Sequence, residues 1–134
     1  MPAIVVDCSA FIACALFDEE PPKGLPERLA EAEFVVPAIW PVEVANALLM
    51  ALLRKRADKA ALLTIRRILK ARSIEVEPAS IELALSATLS LASDHKLTVY
   101  DAAYLELALR RKLPLATLDE ELRRAAKKTK VELA

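Results

Sequence analysis

Read for the spacing of its apolar positions, the chain alternates short apolar runs with longer helical patterns. Ala3–Val6 is an unbroken apolar run ending in Asp7, which predicts a strand buried on both faces. Ser9–Phe17 has helical spacing, and Asp18–Gly24, with Pro21 and Pro22, reads as a loop. Leu25–Ala32 predicts a short helix with Pro26 in its first turn, where a missing N–H costs nothing. Phe34–Val36 predicts a second strand, stopped by Pro37. Two helices follow, Trp40–Arg56 and Asp58–Ala71, and then Ile74–Val76 as a weak strand or an extended connection. Ala79–Leu91 and Tyr100–Lys112 are helical, the second with basic residues at its C-terminal end, where the helix dipole favours them. Leu115–Thr117 predicts a third buried strand, Glu120–Lys127 a helix and Val131–Leu133 a last strand. Strands alternating with helices predict an α/β fold with a parallel sheet covered on both faces.

Trp40–Arg56 departs from a single apolar stripe. Val42, Val44, Leu48, Leu49, Met50, Leu52 and Leu53 wrap most of the way round it. Such a helix must be covered on more than one side, by the chain's own core or by a second subunit.

With 134 residues the chain is expected to form one domain, residues 1–134, with a core of its own. Lys plus Arg and Asp plus Glu are 19 each, giving a net charge of zero. Bulk electrostatics therefore do not make it a polyanion binder, and a nucleic acid would need a local basic patch or a bridging metal. One glycine, Gly24, excludes the Gly-rich phosphate loops, which need at least two. One histidine, His95, excludes a His-based metal cluster. Cys8 and Cys14 are expected as reduced packing residues. No apolar run approaches the ~20 residues of a membrane span, and Met1-Pro2 leads straight into the first strand, so a soluble cytoplasmic chain is expected. Chemistry, if any, falls to carboxylates.

Four carboxylates occupy the right places. Asp7 ends the first strand, Glu43 and Asp101 lie in the first turns of their helices, and Asp119 opens the last helix after the third strand. In a parallel sheet, strand C-termini and the following helix N-termini share one edge, where ligands bind. Each acid also suits a helix N-terminus for structural reasons alone, as a cap or as a partner of the dipole. Together they would repel one another unless a cation intervenes. Carboxylates without His or Cys select Mg²⁺ or Mn²⁺, ions suited to phosphodiester hydrolysis. Ser9, Asn46 and Thr117 stand close in sequence to these acids and can orient them, as outer partners of a metal site do.

At these residues the chain resembles the PIN-domain nucleases, particularly VapC-type toxins. The matching pieces are I-V-V-D-C-S-A at Ile4–Ala10, V-E-V-A-N-A-L at Val42–Leu48, L-T-V-Y-D-A-A-Y-L at Leu97–Leu105 and A-T-L-D-E-E-L-R-R-A-A at Ala116–Ala126. The resemblance implies a three-layer α/β/α sandwich with a central parallel sheet. It puts an acidic quartet at Asp7, Glu43, Asp101 and Asp119, holding Mg²⁺ or Mn²⁺, with Ser9, Asn46 and Thr117 in support. It further implies endoribonuclease activity, homodimerisation and neutralisation by a cognate VapB-type antitoxin. One departure is Asp94-His95-Lys96, where the family often has a small or Gly-containing turn; His95 is expected in an exposed loop.

Other functions remain open at this point. A housekeeping PIN nuclease in RNA processing and a catalytically silent partner-binding scaffold share the same residues. A haloacid-dehalogenase-like phosphatase would need a second Asp where Ser9 stands, and a receiver module would need paired acids after the first strand. For RNA, basic faces are available at Arg54, Lys55 and Arg56, or at Arg66, Arg67, Lys70 and Arg72.

Overall fold

The structure, a computed structural model, describes residues 1–16, 18 and 20–134. Its elements are β1 (Ala3–Val6), α1 (Cys8–Ala15), α2 (Leu25–Ala30), β2 (Glu33–Pro37), α3 (Trp40–Leu53), α4 (Lys59–Ala71) and β3 (Ile74–Glu77). Then come α5 (Ile81–Leu83), a π-helical stretch (Ala84–Thr88), α6 (Leu89–His95), α7 (Val99–Arg111), β4 (Leu115–Ala116) and α8 (Glu120–Lys128). All strand pairings are parallel, in the order β3-β2-β1-β4. The chain thus builds outward from β1 through β2 to β3, then returns to add β4 on the other side. The reversal falls between β1 and β4, and folds of this kind bind ligands at the C-terminal ends of the strands there.

Ile4, Val5 and Val6 in β1 and Phe34, Val35 and Val36 in β2 are all buried. Successive strand residues point to opposite faces, so burial of every one requires cover on both sides, as the apolar runs predict. The fold is the expected α/β/α sandwich. On one face Phe34 meets Phe11 of α1 and Trp40 of α3 edge-on, with centroids 6.3 and 6.2 Å away. The Arg72 guanidinium lies 4.1 Å from the Phe34 ring centre and donates to the Leu29 and Ala32 carbonyls. Arg72 is therefore a clamp joining the end of α4 to α2, and not a free basic residue of the α4 surface. Among the described residues, no helix is long and apolar enough to cross a membrane.

Several boundaries differ from expectation. Ile74–Val76 forms a true edge strand, paired with β2 through Glu77. The strand expected at Val131–Leu133 is reduced to a single bridge, Leu115 to Leu133. Phe17, expected in the first helix, and Glu19, expected in the following loop, lie outside the described residues. His95 closes α6 and is half-buried, so it is not an exposed loop residue. The turn after it is made by Lys96 in the left-handed conformation, φ 55°.

The chain uses lysine where most proteins use glycine. Lys55, Lys96, Lys112 and Lys130 all have positive φ, between 55° and 64°. They follow α3, α6, α7 and α8, the helix ends that favour a left-handed residue. An L-residue pays about 1–2 kcal/mol there, and replacing it with Gly returns part of that to unfolded-chain entropy. Lys96→Gly and Lys112→Gly should each stabilise the protein by about 0.5–1 kcal/mol. Urea unfolding checks this, with Lys→Ala at the same positions giving no gain.

Candidate functional site

Asp7 is placed by β1 and is 5% exposed. Both of its carboxylate oxygens are occupied. Oδ1 accepts from Ser9 Oγ at 2.7 Å and from the Ala10 amide at 2.9 Å, the second bond capping α1. Oδ2 accepts from the buried Thr117 hydroxyl. Ser9 and Thr117 each carry the network onward: Ser9 Oγ accepts from the Leu118 amide at 3.0 Å, and Thr117 Oγ1 from the Asp119 amide at 3.1 Å. Two hydroxyls thus join the ends of β1 and β4 across the reversal point. They do more than local turn bonding, which holds for neither of them alone.

The other three acids come from helix N-termini, where partial positive charge favours them. Asp119 caps α8, accepting from the Leu122 amide at 2.9 Å. Asp101 lies in the first turn of α7, capped by Thr98, whose Oγ1 accepts from the Asp101 amide at 3.1 Å. Thr98 also acts on the Asp101 carboxylate as a hydrogen-bonding partner, which opposes the rise in its pKa. Glu43 lies in the first turn of α3 and accepts a hydrogen bond from the Tyr104 hydroxyl of α7.

Electrostatics show that the four acids share one region. The Asp101 carboxyl is held above its ordinary value, first by burial, then by the charges of Asp119 and Glu43. Asp7 is also raised, by burial and, to a smaller extent, by Asp101, against the opposing effect of its hydrogen-bond donors. Cys8 is pushed up to about 12 by burial, Glu43 and Asp7, so it is a packing thiol and not a nucleophile. Tyr104 is raised by burial and by Glu43, which fixes it as a hydrogen-bond donor. Asp101 thus feels the charges of Asp119 and Glu43, and Asp7 feels that of Asp101.

Among the described residues, no group of three or more His, Cys, Asp or Glu side chains is placed to hold a metal ion by itself. Mg²⁺ does not require one, because it keeps several waters and is held by one or two carboxylates plus substrate phosphate. The all-oxygen donor set, with two carboxyls raised first by burial and then by acidic neighbours, fits a hard divalent cation. Asn46 is exposed one turn beyond Glu43 and makes no hydrogen bond among the described residues, unlike Ser9 and Thr117. Tyr104 was not singled out in the sequence, although its i+3 spacing from Asp101 puts both on one face of α7. Arg123 was also missed; it donates to the Thr117 carbonyl at 2.9 Å.

The PIN domain family model matches residues 4–128. The chain belongs to the PIN domain family. Its fold is similar to that of PAE2754 from Pyrobaculum aerophilum, known from a crystal structure, with a TM-score of 0.66 and 27% identity. The likeness covers 92% of this chain and 86% of that one. No curated protein matches the sequence. PIN domains are generally metal-dependent nucleases.

The raised Asp101 carboxyl gives a pH test. Above the ordinary value of 3.8 the unfolded chain loses its Asp101 proton before the folded protein does. Stability contributed by that proton is lost as pH rises toward the folded value. Asp101→Asn has no proton to lose and keeps its Thr98 cap. Its melting temperature should match the parent's below pH 3.8, pull ahead as pH rises, and level off once Asp101 is ionised in the fold. Paired thermal melts in chelator across this range check it; a gap constant with pH would show that Asp101 is not perturbed.

Proposed function

We propose that this chain is a metal-dependent endoribonuclease acting as the toxin of a type II toxin–antitoxin pair. The observation that supports it is the convergence of Asp7, Glu43, Asp101 and Asp119, with Asp7 and Asp101 raised by burial and acidic neighbours. Asp7, Asp101 and Asp119, with Glu43 beside them, would hold Mg²⁺ or Mn²⁺. The ion supplies a positive charge that clamps the phosphodiester and stabilises charge developing on it. The chain's own residues supply orientation. Ser9, the Ala10 amide and Thr117 fix the Asp7 carboxylate, the Leu122 amide fixes Asp119, and Tyr104 fixes Glu43. Because Asp7, Glu43 and Asp119 are each held by a donor, these three need little rearrangement to receive charge.

The partners in this reading are RNA, a cognate VapB-type antitoxin and a second copy of the chain. α3 and α4 enclose an apolar groove of about 780 Å³ floored by residues such as Leu48, Leu52 and Leu62. Lys59, Arg66 and Lys70 stand on its rim. An amphipathic helix with acidic flanks suits such a groove, and this supports an antitoxin as its occupant. For the homodimer, α3 leaves Val42 69% and Leu53 65% exposed, and α7 leaves Val99 43% and Tyr100 59% exposed. Leu85 and Leu89, in the π-helical stretch and α6 beside α7, add to the exposed apolar surface. The outer face of α3 thus lacks the cover that its all-round apolar sequence demands.

Two experiments test this reading. Purified protein should cleave RNA with Mg²⁺ or Mn²⁺ and not in excess chelator. Asn caps a helix about as well as Asp, so Asp119→Asn should fold normally and lose activity by about a hundredfold or more. Unchanged cleavage in that variant would reduce Asp119 to a cap. For the partners, light scattering of the isolated chain should give the mass of two copies. Its expression should arrest growth, and co-expressed antitoxin should relieve the arrest. A monomer whose abundant expression leaves growth unimpaired would point instead to a housekeeping nuclease or a silent scaffold.

A further inference from the structure

A strip of positive charge runs away from the acidic edge along α8. Asp119 caps this helix, and Arg123, one turn later, reaches back to the Thr117 carbonyl. Beyond Arg123 the exposed face carries Arg124, Lys127 and Lys128, which with Arg123 and Glu120 line a shallow depression of about 620 Å³. Glu120 and Arg123 also line an adjoining depression of about 550 Å³. Its walls include Thr117, the residue bonded to Asp7, and Lys23 and Arg28 from the segment before and within α2. The two depressions share Glu120 and Arg123, and the second is lined by Thr117, whose hydroxyl bonds Asp7.

The charge balance of this surface is unlike that of the whole chain. Six cations line the two depressions against the single acid Glu120, in a chain with a net charge of zero. Arg28 pairs with Glu132 and Arg124 with Glu121, both in exposed positions where pairing is weak. Lys23, Lys127 and Lys128 form no ion pair among the described residues. The other basic clusters are less suited. Arg56 is paired with Asp18, Arg72 is committed to the Leu29 and Ala32 carbonyls, and Arg66 and Lys70 border the apolar α3–α4 groove.

We propose that the exposed face of α8 from Arg123 to Lys128, with Lys23 and Arg28 on the facing rim, is the track that leads the backbone of single-stranded RNA to the acidic site. This rests on the nuclease reading above. A polyanion approaching four carboxylates is repelled unless cations stand beside them, and α8 supplies those cations directly next to Asp119. At 1.5 Å per residue the helix offers a path of ~13 Å, enough for a few phosphates. No aromatic residue occurs from Leu105 to the end of the chain, so this strip has nothing on which bases can stack. Binding along it is by charge and is sensitive to salt, with little sequence preference.

The test uses the Asp101→Asn protein, to suppress cleavage, and a fluorescein-labelled 12-nucleotide RNA followed by anisotropy over a salt series. Adding Lys127→Gln and Lys128→Gln should weaken binding about tenfold and lower the slope of log affinity against log salt by about 1.4, the loss of two phosphate contacts at ~0.7 each. Arg54→Gln with Arg67→Gln, on the other basic clusters, should change affinity less than about twofold. Melting temperatures confirm that all variants are folded. If the α8 pair is silent while the Arg54/Arg67 pair weakens binding, or if neither matters in a protein whose parent cleaves RNA, the track is wrong and the nuclease reading survives. If the parent neither binds nor cuts RNA, both fall.

Discussion

The burial of Asp7 at the end of the central strand sets the terms for much of the structure around it. A carboxylate at 5% exposure loses most of its hydration and must recover it from donors or stay protonated. Here the donors come from two chain segments more than a hundred residues apart: Ser9 and Ala10 after β1, and Thr117 after β4. Satisfying one side chain therefore docks β4 beside β1 and fixes where α8 begins. Thr117 and Ser9 are used twice, donating to Asp7 and accepting from the Asp119 and Leu118 amides. Exchanging either hydroxyl for an apolar group would strand a buried acceptor and a backbone amide together.

The same arrangement explains how four acids can share an edge without unfolding it. Asp7 and Asp119 are caps, and Glu43 and Asp101 lie in first turns. Each sits at the positive end of its own helix dipole, a favourable contact of a few tenths of a kcal/mol to about 1 kcal/mol. These helix N-termini offset part of the repulsion that their acids create. The capping role and the cation-binding role are thus not rivals for these residues. The caps place the carboxylates, and the surplus negative charge that remains is what a cation would neutralise.

This double use also explains what the sequence made legible. The four acids could be placed because capping position and strand order are local signals, and Leu115–Thr117 and Ala3–Val6 read as buried strands from their apolar runs alone. Tyr104 was hidden, because a tyrosine inside an apolar helix looks like core until the packing of α7 against α3 aims its hydroxyl at Glu43. Asn46 lies three residues after Glu43 and is exposed, so its local spacing leaves no trace in the packing. Val131–Leu133 has strand composition yet meets β4 at only one bridge, since β4 itself is just two residues long. Arg72 looked like one more surface cation of α4. Its contacts with Phe34 and the α2 carbonyls are long-range and leave no periodic trace.

Net neutrality, read from composition, excludes polyanion binding by bulk charge and leaves a local basic patch or a bridging metal as the route, and the structure shows how charge is divided locally. Negative charge is concentrated where strands end, while positive charge is carried along α8 and around the α3–α4 groove. Segregation of this kind matters more than the sum, because screening confines an exposed charge's influence to roughly 8–10 Å at physiological salt. Within that range a phosphate backbone beside α8 meets mostly cations, with Glu120 and Glu121 the acids on that helix, before it reaches the acids at the β1–β4 edge. The two regions join at Arg123, whose guanidinium bonds the carbonyl of the residue that holds Asp7. An anion drawn along the basic strip would therefore arrive at the one place where its charge needs a counter-ion of the opposite kind, and where the carboxylates can recruit it.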